Sequence, residues 1–140
     1  MDVITNKIEF STQGHNDIID LTPQIGQLLS NSGLQEGSVL VSAVGSTTGI
    51  STLEFEPGLV NHDVAEMFER LAPYDNDYKH NATWGDDNGS AHLRSLLTGT
   101  SKTFPFQFSQ LLLGTWQQIV FIDFDTRPRR REVIVQFYGK

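Results

Sequence analysis

Toward its C-terminal end the chain reads Leu111-Leu112-Leu113-Gly114-Thr115-Trp116-Gln117-Gln118-Ile119. From Trp116 to Phe124 most alternate residues are apolar, which is the period-two pattern of a β-strand, and we expect Trp116 to be a packing anchor on that strand. Residues 111–113 predict a short extra edge strand. The same alternation appears in one run before this stretch and one after it, at Phe104, Phe106, Phe108 and at Val133, Val135, Phe137. The C-terminal part is therefore predicted to be β-structure.

The rest of the chain mixes strand and helix patterns. Strands are predicted around residues 4–10, 38–44 and 50–55, and helices follow Thr22-Pro23 as far as Gly33 and run from Val60 to Leu71. A short helix from Ser90 to Thr98 is expected to bury its leucines, which are Leu93, Leu96 and Leu97. The segment from Tyr74 to Ser90 shows almost no periodicity and predicts a long loop. The resulting order, β-α-β-β-α-loop-α-β-β-β, indicates the α+β class.

Composition limits both the architecture and the partners. With 140 residues, of which 38 % are hydrophobic, the chain is expected to form one domain over residues 1–140. There is no cysteine, so disulfides, thiolate metal sites and cysteine nucleophiles are excluded. The net charge of −7 argues against general nucleic-acid binding. No apolar run is long enough to cross a membrane, and a cytoplasmic location is the default expectation.

The densest candidate for chemistry is the segment from Tyr78 to His92. His80 and His92 stand twelve residues apart, with Asp86, Asp87 and Asn88 between them. Imidazole and carboxylate ligands suit a divalent ion such as zinc. The alternative is that both histidines are ordinary surface residues and that the aspartates only favour the N-terminus of the following helix.

Three other features could bind an anion or act as a base. Glu54 on its strand is either a ligand or general base, or part of a solvated face. The turn at residues 45–49 offers backbone N–H groups and the hydroxyls of Ser46 and Thr47 to a phosphate, although it lacks the P-loop pattern. The arginines near 127–131 either bind an anion or form a solvated turn, and one of them is expected to pair with Asp123. No hydrolase nucleophile motif is present.

Taken together, these segments resemble the YjbQ-like family, named for a secondary thiamine-phosphate synthase activity. The apolar strand followed by Gly114-Thr115-Trp116-Gln117 carries the resemblance, and residues spread along nearly the whole chain agree with it, including Glu54, His80, His92 and the 127–131 turn. The resemblance implies a large bent mixed or antiparallel sheet, sandwich-like, with two to three helices, in a homotrimer. It also implies a histidine-lined site holding a metal or an anion near a subunit boundary.

The resemblance also defines the functional expectation. The implied reaction joins a pyrimidine diphosphate to a thiazole phosphate with loss of diphosphate. Its expected catalytic residues are Asp87, Asn88 and Glu54, and its metal ligands, for zinc or magnesium, are His80 and His92. The expected anion-binding residues are Ser46, Thr47, Arg127 and Arg130.

One departure from the family separates two hypotheses. Ser46 stands where many members have a histidine, so one imidazole is missing. The first hypothesis is an enzyme acting on phosphorylated small molecules. The alternative is a non-catalytic trimer that binds a metal or an anion.

Overall fold

Eight strands and four helices make up the computed structural model, which describes residues 1–140. The strands are β1 Asp2–Thr12, β2 Asp17–Asp20, β3 Glu36–Ala43, β4 Thr48–Leu53, β5 Ser101–Gln107, β6 Gln110–Leu111, β7 Gln118–Asp123 and β8 Arg129–Gly139. The helices are α1 Thr22–Ser32, α2 Val64–Leu71, α3 Lys79–Trp84 and α4 Gly89–Thr98, and a π-helical segment, Leu59–Asp63, leads into α2. None of these helices is long and apolar enough to cross a membrane.

The strands form two sheets in which every neighbouring pair is antiparallel. One sheet has five strands in the order β1-β8-β3-β5-β6, and the other has three in the order β2-β7-β4. The predicted α+β class is confirmed. No parallel pair occurs, so the sheets are antiparallel and not mixed.

Strand β7 is buried on both faces, and it divides the interior into two cores. Ile119 and Phe121 pack in the larger core, with the five-stranded sheet and α1. Val120 and Ile122 face the opposite way, into a smaller core that contains Phe68 of α2 and Ala91 of α4. The three-stranded sheet therefore lies between the five-stranded sheet on one side and helices α2 and α4 on the other, which explains why its central strand is apolar at nearly every position.

Helix α1 begins and ends close to where the sequence predicts. Pro23 occupies its first turn, where the missing N–H costs nothing, and Gly33 ends it with φ at 76° in the left-handed region. The Thr22 hydroxyl accepts a hydrogen bond from Ile119 N–H at 2.8 Å instead of capping the helix. That contact ties the start of α1 to β7.

Helix α4 is rotated relative to the sequence prediction. Its small residues face inward, and the Ser95 hydroxyl donates to the Thr48 carbonyl oxygen at 2.6 Å. The helix lies so close to β4 that a Cβ on Gly49 would meet Thr98 Cγ2 at 2.7 Å. The expectation that the leucines of α4 are buried was wrong, since Leu96 is 79 % exposed and its two companions, Leu93 and Leu97, are also exposed.

Four further features differ from what the sequence predicts. The region after Pro73 is not a structureless loop, because α3 forms within it, and the helix count is four instead of two to three. Trp116 is not an anchor in the core of one chain, because it lies outside β7 and is 70 % exposed. Strand β2 was missed because its four residues are too few to display a period.

Arg94 of α4 takes the inward position that an apolar residue was expected to fill. Its side chain is completely buried. The guanidinium donates to the Ala72 carbonyl, to Asn16 Oδ1 and to Glu69 Oε2, each at 2.9 Å. It also stacks 3.8 Å from the centre of the Tyr74 ring, whose pKa is raised by burial to about 12. One side chain thus joins α2, α4 and the segment between β1 and β2.

We predict that Arg94→Met lowers the free energy of unfolding by about 3 kcal/mol, because it leaves three buried or half-buried acceptors without a donor. The matched control is Arg70→Met, which removes an exposed arginine whose partner is Glu66 one turn away and should change stability by less than about 0.5 kcal/mol. Equilibrium urea unfolding measures both. Equal losses in the two variants would contradict the role assigned to Arg94.

Candidate functional site

Two imidazoles meet where α3 folds back on α4. The ring centres of His80 and His92 lie 4.4 Å apart. The reversal between the helices depends on Gly89, whose N–H donates to Asn81 Oδ1 at 2.9 Å. A Cβ on Gly89 would meet Tyr78 Cβ at 2.6 Å, so the two helices approach this closely only because the residue is glycine.

Asn88 connects the histidine pair to the interior. His80 Nε2 lies 3.0 Å from Asn88 Oδ1, and Asn88 Nδ2 donates to Asp125 Oδ1 at 3.3 Å. Asn88 is itself buried. Asp87 lies at the edge of this group, where it accepts a hydrogen bond from the Thr126 hydroxyl at 2.7 Å.

A buried charged cluster forms the floor below Asn88, and we call it the Asp123–Asp125 cluster. Arg131 Nε donates to Asp123 Oδ2 at 2.7 Å, and Arg129 Nε donates to Asp125 Oδ2 at 3.1 Å. The Thr12 hydroxyl donates to Asp123 Oδ2 at 2.5 Å. The expected pairing of Asp123 with an arginine beyond the turn is therefore confirmed, and the carboxylates stand opposite an equal number of guanidinium groups.

The surroundings of Asp125 keep its carboxyl group ionised. Burial alone would raise the pKa of Asp125. Hydrogen bonds from Thr126 N–H, Asn88 and Thr47, together with the charge of Arg129, outweigh burial and hold the pKa below its ordinary value. Asp125 therefore retains its negative charge at neutral pH.

The pKa of His92 is lowered from its ordinary value of 6.5. Burial is the largest cause and the neighbouring His80 the second, while Asp125, Asp86 and a hydrogen bond with the Ser46 backbone act in the opposite direction. His92 is therefore a neutral imidazole at pH 7 in the free protein.

The turn between β3 and β4 lies against His92. The backbone N–H groups of Gly45, Ser46 and Thr47 make no hydrogen bond within the chain. Thr48 is completely buried, yet its hydroxyl has no partner. A Cβ on Gly45 would lie 3.3 Å from Thr48 Oγ1 and 3.4 Å from Arg131 Nη1, so a larger residue at this position would crowd both groups. Three backbone donors of one short turn are therefore unused within the chain.

An open groove of about 430 Å³ runs from this turn along α4. Gly45, Ser46 and His92 line one end of it, and Ser95, Leu96, Gly99 and Thr100 line the remainder. A groove with backbone N–H groups, hydroxyls and an imidazole at one end suits an anionic group attached to a small molecule.

The structure brings together most of the candidates named from the sequence. His80, His92, Asn88, Ser46 and Thr47 lie in or beside the groove, with Asp87 at its edge.

Three candidates lie elsewhere. Thr48 pairs with Asp123 and Leu53 with Gln118, so Glu54 follows the far end of β4, about 20 Å from the turn. Arg130 points to the opposite face of β8 and contacts Glu9 at 3.6 Å, and Arg127 is exposed at the turn before β8. These three residues do not contribute to the groove within one chain.

Sequence reasoning missed Asp125 as a member of the site, and within the arginine cluster at 127–131 it selected Arg127 and Arg130 instead of Arg129 and Arg131. Their signal is the alternation through the turn, since residues 129 and 131 share one face of β8 while residue 130 faces the other way. Which face points inward depends on the pairing register of β8 with β1, and register is not visible in a single run of arginines.

The residues near the groove do not by themselves form a three-ligand metal site. Only one group of three imidazole or carboxylate side chains has all its ligand atoms within 4.8 Å of one another, and it is the exposed set His62, Asp63 and Glu66. Zinc sites use at least three protein ligands, and the histidine pair lacks a third within one chain. The metal site at His80 and His92 stays a prediction.

Comparison with known proteins gives consistent results along the whole chain. Residues 6–140 match the family described as UPF0047 protein YjbQ-like. A UPF0047 protein of Archaeoglobus fulgidus is 38 % identical over 130 residues, which covers 93 % of this chain and 98 % of that protein. A UPF0047 protein of Methanothermobacter thermautotrophicus is 36 % identical over 140 residues, covering 100 % of this chain and 95 % of the relative.

Solved structures agree with the sequence relatives. A YbjQ-like protein of unknown function from Sulfolobus solfataricus superposes with a TM-score of 0.93 at 30 % identity, covering 99 % of both chains. A hypothetical protein from Aeropyrum pernix gives a TM-score of 0.90 at 30 % identity over 98 % of this chain and 99 % of that one. The chain therefore belongs to the UPF0047, or YjbQ-like, family.

Proposed function

We propose that the protein binds the phosphate groups of small phosphorylated molecules in the His92 groove and acts as a transferase of the thiamine-phosphate synthase type. The observation that carries the proposal is the turn at residues 45–47, whose three backbone N–H groups are unused within the chain and which lies beside an imidazole pair. Backbone N–H groups arranged in this way bind phosphate oxygens without carrying a net charge. Resemblance to the thiamine-phosphate synthase type supplies the reaction class.

The chemistry that the reaction requires matches these donors. The bond between the pyrimidine methylene carbon and the diphosphate oxygen breaks, its electron pair leaves with diphosphate, and the thiazole nitrogen bonds to the carbon. Negative charge grows on the departing diphosphate, so fixed N–H donors and His92 stabilise it, and no side-chain nucleophile is needed. Asn88 and Asp87 position His80 and the loop after β7 beside the groove.

The proposal includes a divalent ion, zinc or magnesium, only as an ion that His80 and His92 would bind as ligands. Such an ion would neutralise charge on the diphosphate. Since one chain offers it two imidazoles, further ligands must come from the phosphorylated substrate, water or another chain. The roles assigned to the groove donors do not depend on it.

The alternative function is a non-catalytic homotrimer that binds a metal or an anion. The observation that favours an assembly is the exposed apolar surface beside the groove, formed by Trp84, Leu93, Leu96 and Leu97. Apolar side chains exposed together on neighbouring helices are typical of surfaces that another chain covers. An interface here would put the groove near a subunit boundary, as the family resemblance implies, and Glu54 of one subunit could then serve the site of another.

We predict that His92→Ala weakens the binding of inorganic diphosphate about 10- to 100-fold, because it removes one charge-assisted hydrogen bond worth about 1.5 to 3 kcal/mol. Isothermal titration calorimetry at constant ionic strength measures the effect. His62→Ala, which removes an exposed histidine outside the groove, is the matched control and should leave the affinity unchanged. Equal affinity in the His92→Ala variant and the unmodified protein would overturn the assignment of the groove.

A direct assay tests the reaction separately from binding. The unmodified protein, in excess over a pyrimidine diphosphate and a thiazole phosphate with magnesium present, should form thiamine phosphate. Diphosphate binding without product formation would favour the non-catalytic alternative.

Anion binding and stability should respond to pH in opposite directions. The lowered pKa of His92 means that the unfolded chain takes up a proton more readily than the folded one, so the free energy of unfolding falls as pH drops below 6.5. A bound anion stabilises the imidazolium and raises this pKa, so anion affinity rises over the same range. Titrating with sulfate, whose charge stays constant here, should give an affinity increase that disappears in His92→Ala. An unchanged pH profile in that variant would contradict the role of His92.

The assembly has its own test. Replacing Leu93 and Leu97 together by glutamate should convert a trimer to single chains, because the new charges cannot be buried at an apolar interface. Light scattering measures the mass, and Met67→Glu on α2 is the exposed apolar control. A mass of one chain for the unmodified protein would contradict the trimer.

A further inference from the structure

The largest cavity lies away from the His92 groove and shares no lining residue with it. Its volume is about 630 Å³, within the range of about 300 to 1,000 Å³ typical of small-molecule sites. One wall is formed by His15, in the segment between β1 and β2, and by Asp17, the first residue of β2. Phe55 and Glu56, which follow β4, and Val60 and Asn61, on the π-helical segment, form the other.

The first wall is an irregular backbone that several contacts hold in place. His15 and Asn16 both have positive φ, at 51° and 67°, which is rare for residues other than glycine. Their N–H groups donate to the carbonyl oxygens of Asp125 and Asp123 at 2.7 and 2.8 Å, and Arg94 holds the Asn16 side chain. Strained segments of this kind persist where surrounding contacts fix them, and they cluster at ligand sites.

The facing wall is irregular as well. Val60 and Asn61 belong to the π-helical segment, and π-turns are frequent at functional sites. Glu56 fixes the start of this segment, because its carboxylate accepts hydrogen bonds from Gly58 N–H at 2.9 Å and Leu59 N–H at 2.6 Å. The cavity is therefore bounded on both sides by backbone that is already held in position.

The lining selects for positive charge. It contains two carboxylates, those of Asp17 and Glu56, and no lysine or arginine. Asp17 Oδ2 accepts a hydrogen bond from Gln13 N–H, while Asp17 Oδ1 has no partner in the chain. The nearby Arg94 does not oppose a cation, because its charge is paired with Glu69.

The apolar residues of the lining determine what the uncharged part of the ligand must be. Ile18, Phe55 and Val60 are apolar, and Phe55 offers a partly exposed aromatic ring. No third imidazole or carboxylate converges with Asp17 and Glu56 within ligand distance of a metal ion. A bare divalent cation is therefore a poorer match than an organic one.

We propose that this cavity is a second binding site that takes a primary ammonium compound with an apolar body. The ammonium donates to Asp17 Oδ1, and the apolar body packs against Phe55, Ile18 and Val60. The site does not depend on the function proposed for the His92 groove.

Phenethylamine and its neutral counterpart phenethyl alcohol are a matched pair of probes. Two-dimensional ¹H–¹⁵N NMR titration of the whole chain should give saturable shifts with the amine at the cavity residues, and at least tenfold weaker binding of the alcohol. Asp17→Asn, which keeps the shape of the side chain, should weaken amine binding at least tenfold. Asp77→Asn, at an exposed aspartate outside the cavity, should have no effect.

Two variants separate this site from the groove and from loss of folding. His92→Ala should leave amine binding intact, and Phe55→Ala should weaken the amine and the alcohol alike while the spectrum stays dispersed. Equal binding of amine and alcohol, amine binding unaffected by Asp17→Asn, or shifts confined to the His92 groove would each overturn the proposal.

Discussion

The buried Asp123–Asp125 cluster is the interaction on which the rest of the structure depends. Its two carboxylates lie at the end of β7, and their side chains bind Thr12 of β1, Thr47 of the turn before β4, and Arg129 and Arg131 of β8. Both sheets are therefore joined at one point. Such a cluster is costly to bury, and it is tolerated because nearly every oxygen has a donor and the charges are balanced.

The backbone carbonyl groups of Asp123 and Asp125 point away from this cluster, toward the segment between β1 and β2. Their carbonyl oxygens accept the N–H groups of His15 and Asn16, which form the wall of the largest cavity. Side chains facing one way support the histidine groove, and carbonyl groups facing the other way support the cavity. Two regions that share no lining residue thus rest on the same two residues, Asp123 and Asp125.

The sequence allows the class of the fold and the approximate position of most elements to be predicted, because period and cap signals are local. Helix α1, with Pro23 and Gly33, is an example. The orientation of α4 could not be predicted in this way. Its leucines are its most apolar residues, yet the helix lies so near Gly49 that only small side chains and the long Arg94 fit on the inner face. A close approach between two elements depends on the tertiary arrangement, which helical periodicity does not report.

In the candidate site, too, the residues that are close in sequence could be predicted, and those brought in by the tertiary arrangement could not. His80, His92 and Asn88 are close in sequence, so a reversal between two short helices brings them together and their proximity was predictable. Asp125 reaches the site from the residues after β7 and Arg131 reaches it from β8, which is in the other sheet, whereas Glu54 lies far away because β4 runs away from the turn. Their positions depend on strand register.

The link from Asp125 through Asn88 to His80 also determines the tautomer of a ring that Asp125 does not contact. Because Asp125 is an anion, Asn88 must direct its amide nitrogen toward it and its amide oxygen toward His80. That oxygen accepts only from a protonated Nε2, so the neutral His80 ring carries its free lone pair on Nδ1. Reversing this choice would require rotation of the Asn88 amide, which would bring two acceptor oxygens together on the buried side.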